Sequence, residues 1–440
     1  MSWYTFIMTV VAAGLGYWQY WRWTHRRMLE LAVKVPGPPA LPILGNALIF
    51  MVNPSEILHK IAMLHEIYGD YFKFWLGPDL NICVKNPADI RTLLTSNKVN
   101  HKGPLYDLLK PFIGPGILTG GPTWRNHRKI ANPSYNKKSV EHFTPIFNEE
   151  AEQLAKLLAN KDPTLEFDIY KDVVKFTTSS VNQTLMGLSK EESQNIYRLD
   201  ELVAYTRKLY DLLFEKMTKW WLQIPLIYWL IGKKKKQDYA IKLINDFAGD
   251  VVKKRRKALD TSVPNEDSMG IVDRYILSGE LSEQEIKWDT FTLFTTSQEA
   301  AAKVASGVLT YLSQLPEWQE RVYNEIIEVL GPHGPVSSET VKQLQYLDMV
   351  YKETLRCLSI AALIQRTVDE EITIDEGRVY ATALVKTIVV WVLRYVKLEP
   401  VGTLDDMKLH VAISVSIDGG YNVRAQPRRN GWKLNGMIPY

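Results

Sequence analysis

Apolar residues recur at helical spacing through most of the chain. The stretch "PSEILHKIAMLHEIYG", residues 54–69, carries them three and four apart and predicts an amphipathic helix. Just beyond it, alternation over 71–76 and 80–85 predicts a pair of strands, with Cys83 in the second. Long amphipathic stretches then dominate. In 281–318, Ser282 and Glu285 stand at capping-box spacing and the pattern stays apolar until Pro316, which predicts one very long buried helix. Thr295, Thr296, Ser297, Gln298 and Glu299 interrupt that helix in mid-course. Buried polar groups cost free energy unless partnered, so the break points to a cavity or a bound group. Further on, 409–429 alternates around Gly419-Gly420 and predicts a β-hairpin. No internal repeat or low-complexity tract interrupts the pattern, and the fold class is mainly α with small β-sheets.

The N-terminal pattern is different. Residues 1–21, "MSWYTFIMTVVAAGLGYWQYW", carry no charge and predict a transmembrane anchor over 1–23, followed by a basic, proline-rich linker over 24–46 and a main domain over 47–440. Arg22, His25, Arg26 and Arg27 follow the apolar run and favour a body on the cytosolic side, while the Trp and Tyr residues at 17–23 suit a membrane interface. A cleavable signal peptide is the competing reading. Against it, the basic flank lies after the apolar run and no small-residue cleavage site closes that run. The segment "VPGPPALPILGN", 35–46, has proline at 36, 38, 39 and 42; locked φ angles and missing donors predict a stiff, non-helical strap.

Composition narrows the function classes. A chain of 440 residues with 46% hydrophobic content has material for a large core. A net charge of only +4 argues against a dedicated nucleic-acid binder. The local basic runs "GKKKK", 232–236, and "KKRRK", 253–257, read as solvated faces, with anionic lipid as the alternative partner. Two cysteines, Cys83 and Cys357, are too few for a disulfide framework and fit a reducing compartment.

The candidate chemistry is weak residue by residue. In "KETLR", Glu353 and Arg356 stand three apart on one helix face, where they pair. "TWRNHRK" sets Trp124, His127 and Arg128 on one helical side, an indole donor beside cations, suited to carboxylates or phosphates. Arg366 ends an apolar run after the Glu353 helix.

Taken together and in this order, these features resemble the cytochrome P450 family, in particular the microsomal insect and vertebrate clan that includes fatty-acid hydroxylases. The resemblance covers nearly the whole chain: the proline strap, Trp124 and Arg128 in a W-x-x-x-R helix, Glu299 near the middle of the long helix, Glu353 and Arg356 in an E-x-x-R helix, and Arg366. It implies the mostly helical monooxygenase fold and a haem b cofactor whose propionates Trp124, Arg128 and Arg366 hold. It also implies Glu299 as the catalytic proton relay and the Glu353–Arg356 pair as a support of the haem-side core. Electrons from a membrane NADPH–cytochrome P450 reductase, an apolar small-molecule substrate and an endoplasmic reticulum membrane location with the body on the cytosolic face follow from the same resemblance.

Departures from the family pattern cluster at one place. The family's haem loop reads broadly F-x-x-G-x-R-x-C-x-G, and its cysteine thiolate ligates iron. Here Gly377, Tyr380 and Ala381 match the end of that motif, but Asp375 stands where the cysteine belongs, so the fold is expected to be incomplete near the proximal loop, with no metal ligand. Cys83 in a strand and Cys357 beside Arg356 read as small buried hydrophobes. His410 lies in a strand far along the chain. Ala300 follows Glu299 where the family carries an alcohol, Thr296 excludes an ester link to haem, and Ser359 and Ala362 replace prolines. Three readings stay open: an incomplete product of a monooxygenase gene, a catalytically dead relative acting as a binding or regulatory protein, and a membrane-anchored helical protein without haem.

Overall fold

The computed structural model describes residues 3–96, 99, 101–120, 123–368 and 382–428. The described residues divide into two compact units: 3–96, 99, 215–227 and 368 form the first, and 101–120, 123–214, 228–367 and 382–428 the second.

The first unit opens with helix α1 (Trp3–Thr24), 22 residues long. The expected membrane span is corrected here: among the described residues no helix is long and apolar enough to cross a membrane. Length is not the obstacle. Tyr17, Trp18, Gln19, Tyr20, Trp21 and Arg22 crowd its last turns, and each carries a polar atom that hydrocarbon would leave without a partner. The proline strap is non-helical, as its φ restrictions dictate, and it is pinned to strand β1 (Tyr71–Leu76). Lys73 N donates to Pro36 O at 2.7 Å, and Asn46 exchanges bonds with Trp75, its own N donating at 2.6 Å and its Oδ1 accepting at 2.9 Å. Helix α2 (Ile57–Tyr68) and the antiparallel pairing of β1 with β2 (Asp79–Val84) follow the predicted pattern closely.

The second unit is built from α3 (Trp124–Ala131), α4 (Lys137–Ala159), α5 (Tyr170–Thr184), α6 (Leu199–Thr218, of which residues to Phe214 belong to it), α7 (Lys233–Thr261), α8 (Ile271–Ser278), α9 (Glu283–Gln314), α10 (Gln345–Cys357) and α11 (Thr382–Tyr395). Helix α9 is the predicted long one. Ser282 caps it: its Oγ accepts from Glu285 N at 3.3 Å while Glu285 Oε2 accepts from Ser282 N at 2.8 Å. Its central turns pack against α5, α7 and α11, leaving Thr296 exposed, and Phe294 meets Phe247 of α7 with ring centroids 4.5 Å apart. Across the unit, α11 packs along α4, and Asn148 Oδ1 accepts from Trp391 Nε1 at 2.8 Å.

Small sheets flank the helices. Strand β3 (His101–Lys102) pairs with β5 (Arg366–Thr367), and β9 (Asn422–Pro427) runs between β4 (Phe167–Asp168) and β6 (Val396–Pro400). The expected hairpin around Gly419-Gly420 takes another form. The true hairpin is β7 (Leu409–Val411) with β8 (Val415–Ile417), and the two glycines redirect the chain into β9, whose edges are already taken by β4 and β6. Gly420 has φ +98°, and Asp168 Oδ2 lies 2.9 Å from where a Cβ would stand, so a side chain there is excluded twice over. One basic run also departs from expectation. Lys253, Arg256 and Lys257 are exposed, but Arg255 turns inward and binds Asp273 bidentately at 2.7 and 3.0 Å. Burial is the largest influence on the Asp273 carboxyl and raises it despite that guanidinium. The join at Asp375 and Gly377, with Tyr380 and Ala381, lies outside the described residues.

Candidate functional site

Helix α3 presents two faces. Trp124 and Arg128, one turn apart, lie on its half-buried side, where the Arg128 guanidinium sits 5.2 Å from the centroid of the Tyr135 ring and has no carboxylate partner among the described residues. Burial pushes the Tyr135 phenol up to about 12. His127 faces inward. Its Nδ1 donates to Asp289 Oδ2 of α9 at 2.6 Å, and Glu285 Oε1 lies 3.8 Å from Nε2. The other Asp289 oxygen accepts from Ile117 N at 3.0 Å, an approach possible because residue 116 is glycine: a Cβ there would stand 2.0 Å from Asp289 Oδ1. Burial disfavours the imidazolium, but the Asp289 hydrogen bond and the charges of Asp289 and Glu285 outweigh it and raise the His127 pKa. The helix bearing Trp124 and Arg128 is thus clamped to the central helix by a buried, charge-assisted bond.

Arg366 stands on β5 directly across from Lys102 on β3. Its Nη1 donates to Gln365 O at 3.1 Å. Two half-buried cations side by side repel, and burial followed by the Arg366 charge brings the Lys102 pKa down to about 8. Neither has a carboxylate partner among the described residues.

The polar interruption of α9 is largely partnered by other elements. Thr295 Oγ1 meets Tyr210 OH of α6 at 2.7 Å, Gln298 Oε1 accepts from Thr178 of α5 at 3.2 Å, and Thr296 bonds back to Thr292 O at 2.7 Å. Glu299 pairs with Lys303 one turn on, at 2.6 Å. Ser414, in the turn of the β7–β8 hairpin, joins both: Lys303 Nζ donates to its Oγ at 2.5 Å, and it donates to Glu299 Oε1 at 3.3 Å. Glu299 Oε2 is buried without a hydrogen-bond partner. Burial first and the Glu299 charge next raise the Tyr170 and Tyr210 phenols; Tyr421 is raised by burial and again by Glu299, against a backbone hydrogen bond.

Glu353 and Arg356 pair as their spacing predicts, Nε and Nη2 donating at 2.8 and 2.6 Å. Their side chains are 61% and 71% exposed. Cys357 lies against Glu353 at 3.8 Å, and Cys83, in the first unit, against His65 Nε2 at 3.4 Å. Burial is the largest influence on both thiols and raises them. His410 Nε2 is engaged with Asp211 at 3.3 Å. Among the described residues no group of His, Cys, Asp or Glu could hold a metal ion.

Residues 35–397 match the family model described as Cytochrome P450. The chain belongs to the cytochrome P450 family. It is 25% identical over 377 residues to probable cytochrome P450 313b1 of Drosophila melanogaster, covering 82% of this chain and 74% of that protein. To cytochrome P450 4d2 of the same fly it is 26% identical over 394 residues, 84% of this chain and 77% of the relative; to cytochrome P450 4d1 of Drosophila simulans, 26% over 375 residues, 80% and 73%. P450 enzymes are haem monooxygenases, and haem is the family's cofactor. The structure accommodates that group unevenly. Arg128, Arg366 and Lys102 are cations without carboxylate partners among the described residues, the chemistry that propionates need. The iron finds no sulfur: the whole chain has two cysteines, and each is engaged elsewhere with its thiol pKa raised.

Sequence reasoning missed Asp289, Lys303, Ser414 and Lys102. Lys303 was legible, four residues beyond Glu299 on the same helix face. Nothing in the sequence links His127 to Asp289, 162 residues apart.

Proposed function

We propose that this sequence derives from a haem-thiolate monooxygenase that inserts oxygen into an apolar small molecule with electrons from an NADPH–cytochrome P450 reductase, and that the 440-residue chain is an incomplete form of it, without the iron ligand. One observation carries the reading: a family match that continues on both sides of the join, in a chain whose two cysteines are engaged elsewhere. In a form that carries the loop, Trp124, Arg128 and Arg366 bind the two propionates, and Glu299 passes protons at Oε2, the oxygen without a hydrogen-bond partner. Residues 47–440 form the P450-like domain. An endoplasmic reticulum location with the body on the cytosolic face belongs to the same proposal, with α1 lying in the interface through exposed Trp3, Tyr4, Tyr17, Tyr20 and Trp23. Protease digestion of intact microsomes tests it; full protection of the body rules the orientation out.

The carbon monoxide difference spectrum of the reduced chain, expressed with excess haem, is the main test. A thiolate-type Soret band from this sequence overturns the proposal. Its appearance only after a cysteine loop is restored supports it, and transcript sequencing across the Glu376 and Gly377 codons locates the loss.

A second reading, a catalytically dead relative serving as a binding or regulatory protein, is favoured by two departures away from the join. Lys303 neutralises Glu299, and Ala300 replaces the alcohol beside it. A loop-restored form that shows the thiolate band yet turns over no substrate selects this reading.

A further inference from the structure

We propose that the contact of α11 with α4 is built around a binding site for a small oxyanion, with the Arg394 guanidinium as its anchor. The site is separate from the residues given a part in the proposed function, and it does not depend on that reading.

Two arginines are buried among the described residues, Arg255 at 6% and Arg394 at 5% exposed. Arg255 is answered by Asp273, at 2.7 and 3.0 Å. Arg394 has no such partner: its Nε, Nη1 and Nη2 are all buried without a hydrogen bond. A guanidinium stays charged at any pH the fold meets, and a buried charge without a counter-ion is strongly destabilising. Burial lowers the Arg394 pKa, against the charges of Tyr395 and Glu152. The side chain leans back one turn along α11, as long helical side chains do, and its Cζ lies 4.9 Å from the centroid of the Trp391 ring. An indole face attracts the cation but accepts none of its in-plane N–H groups.

The polar side chains around this arginine are already committed. Trp391 Nε1 donates to Asn148 Oδ1 of α4 at 2.8 Å, and the same oxygen accepts from Val336 N at 2.8 Å. Asn148 Nδ2 donates to Thr144 O and Val336 O at 2.9 and 2.8 Å, which uses the whole amide. One turn further along α4, Glu152 Oε1 accepts from Tyr395 OH at 3.0 Å and from Lys156 Nζ at 2.8 Å. Drawing Glu152 from these donors onto Arg394 gives up both contacts. Glu152 is 33% exposed, so the group opens to solvent on that side. A small oxyanion supplies what Arg394 lacks: negative charge, and two oxygens for the fork of guanidinium donors. Phosphate and carboxylate share that chemistry, and titration separates them.

The experiment is calorimetric titration and thermal unfolding of the full chain with inorganic phosphate and, separately, with acetate, against chloride at matched ionic strength. Millimolar concentrations keep it clear of the general stabilisation that concentrated phosphate gives. Saturable one-to-one binding of at least one of the two is expected, with the unfolding equilibrium constant lowered about tenfold at about ten times the dissociation constant. Phosphate alone identifies a tetrahedral group, acetate a carboxylate. Arg394→Met is expected to abolish the response and to raise the melting temperature in chloride, because it removes a buried charge without a partner. Glu152→Gln is expected to tighten binding by about threefold, because it removes a repelling carboxylate, and it decides the matter alone if Arg394→Met does not fold. No saturable response to either anion, an unchanged response in Arg394→Met, or weaker binding in Glu152→Gln overturns the inference; the last result assigns Glu152 itself as the partner of Arg394.

Discussion

Two ion pairs in the second unit have nearly the same local design. Glu299 and Lys303, four apart on α9, meet at 2.6 Å; Glu353 and Arg356, three apart on α10, also meet at 2.6 Å. Their surroundings are opposite. The first pair is 6% and 9% exposed and tied to Ser414, whereas the second is 61% and 71% exposed and open to solvent. Helical spacing brings the charges together in both cases, but it says nothing about the dielectric around them, and the dielectric decides what losing one partner costs.

Lys303→Met gives the largest expected effect. It leaves the Glu299 carboxylate buried without a counter-ion, a loss of about 3–5 kcal/mol in urea unfolding. Adding Glu299→Gln in the same chain should recover most of that loss, because well-packed neutral groups replace a buried pair at little cost. If the double variant is as unstable as the single one, the pair is not the coupled unit the geometry describes.

His127 and Asp289 extend the comparison to a buried pair of mixed type. Asp289→Asn should cost about 2–3 kcal/mol, the value of a charge-assisted hydrogen bond, and should loosen α3 in hydrogen exchange. The effect depends on pH with a fixed sign. The folded state raises the His127 pKa, so its contribution is complete below the unfolded value, about 6.5, and is lost as pH rises through the raised folded value. Unfolding measured from about pH 6 upward should therefore show stability falling in the parent protein and a flatter profile in Asp289→Asn.

Tyr421→Phe sharpens the picture at smaller scale. Its hydroxyl is buried, and a backbone hydrogen bond at Ile417 offsets part of that cost, so removal should change stability by no more than about 1 kcal/mol. A clear loss would mean that a water or ligand group holds this hydroxyl. Smallest of all is Arg356→Lys, which breaks a bidentate but exposed contact; the unfolding midpoint should not move beyond measurement error, and a large shift would show that α10 is covered in solution.

Much of the frame was legible in advance. The capped helix from Glu283, the strand pair at 71–76 and 79–84 and the non-helical strap follow from local rules of capping, alternation and proline geometry. The site was legible in pieces. Trp124 and Arg128 fall one turn apart, and Glu353 reaches Arg356, because these are contacts within a single helix. The readings that failed needed knowledge of a neighbour. The Gly419-Gly420 turn looks like a hairpin until β6 and β4 claim β9, and "KKRRK" looks solvated until Asp273 takes Arg255.

By itself the sequence determined the mainly helical class, the family and the places of the long capped helix and the first strand pair. Those properties depend on residue identity and on spacings of a few residues, where chain geometry leaves little freedom. Tertiary structure alone decided which charges are buried. It set Lys102 against Arg366, closed Ser414 over Glu299 and Lys303, and brought Asp289 to His127 across 162 residues of chain. Burial and charge proximity arise from packing between distant segments, and it is these, not residue identity, that fix the strength of an ion pair and the pKa of a buried group.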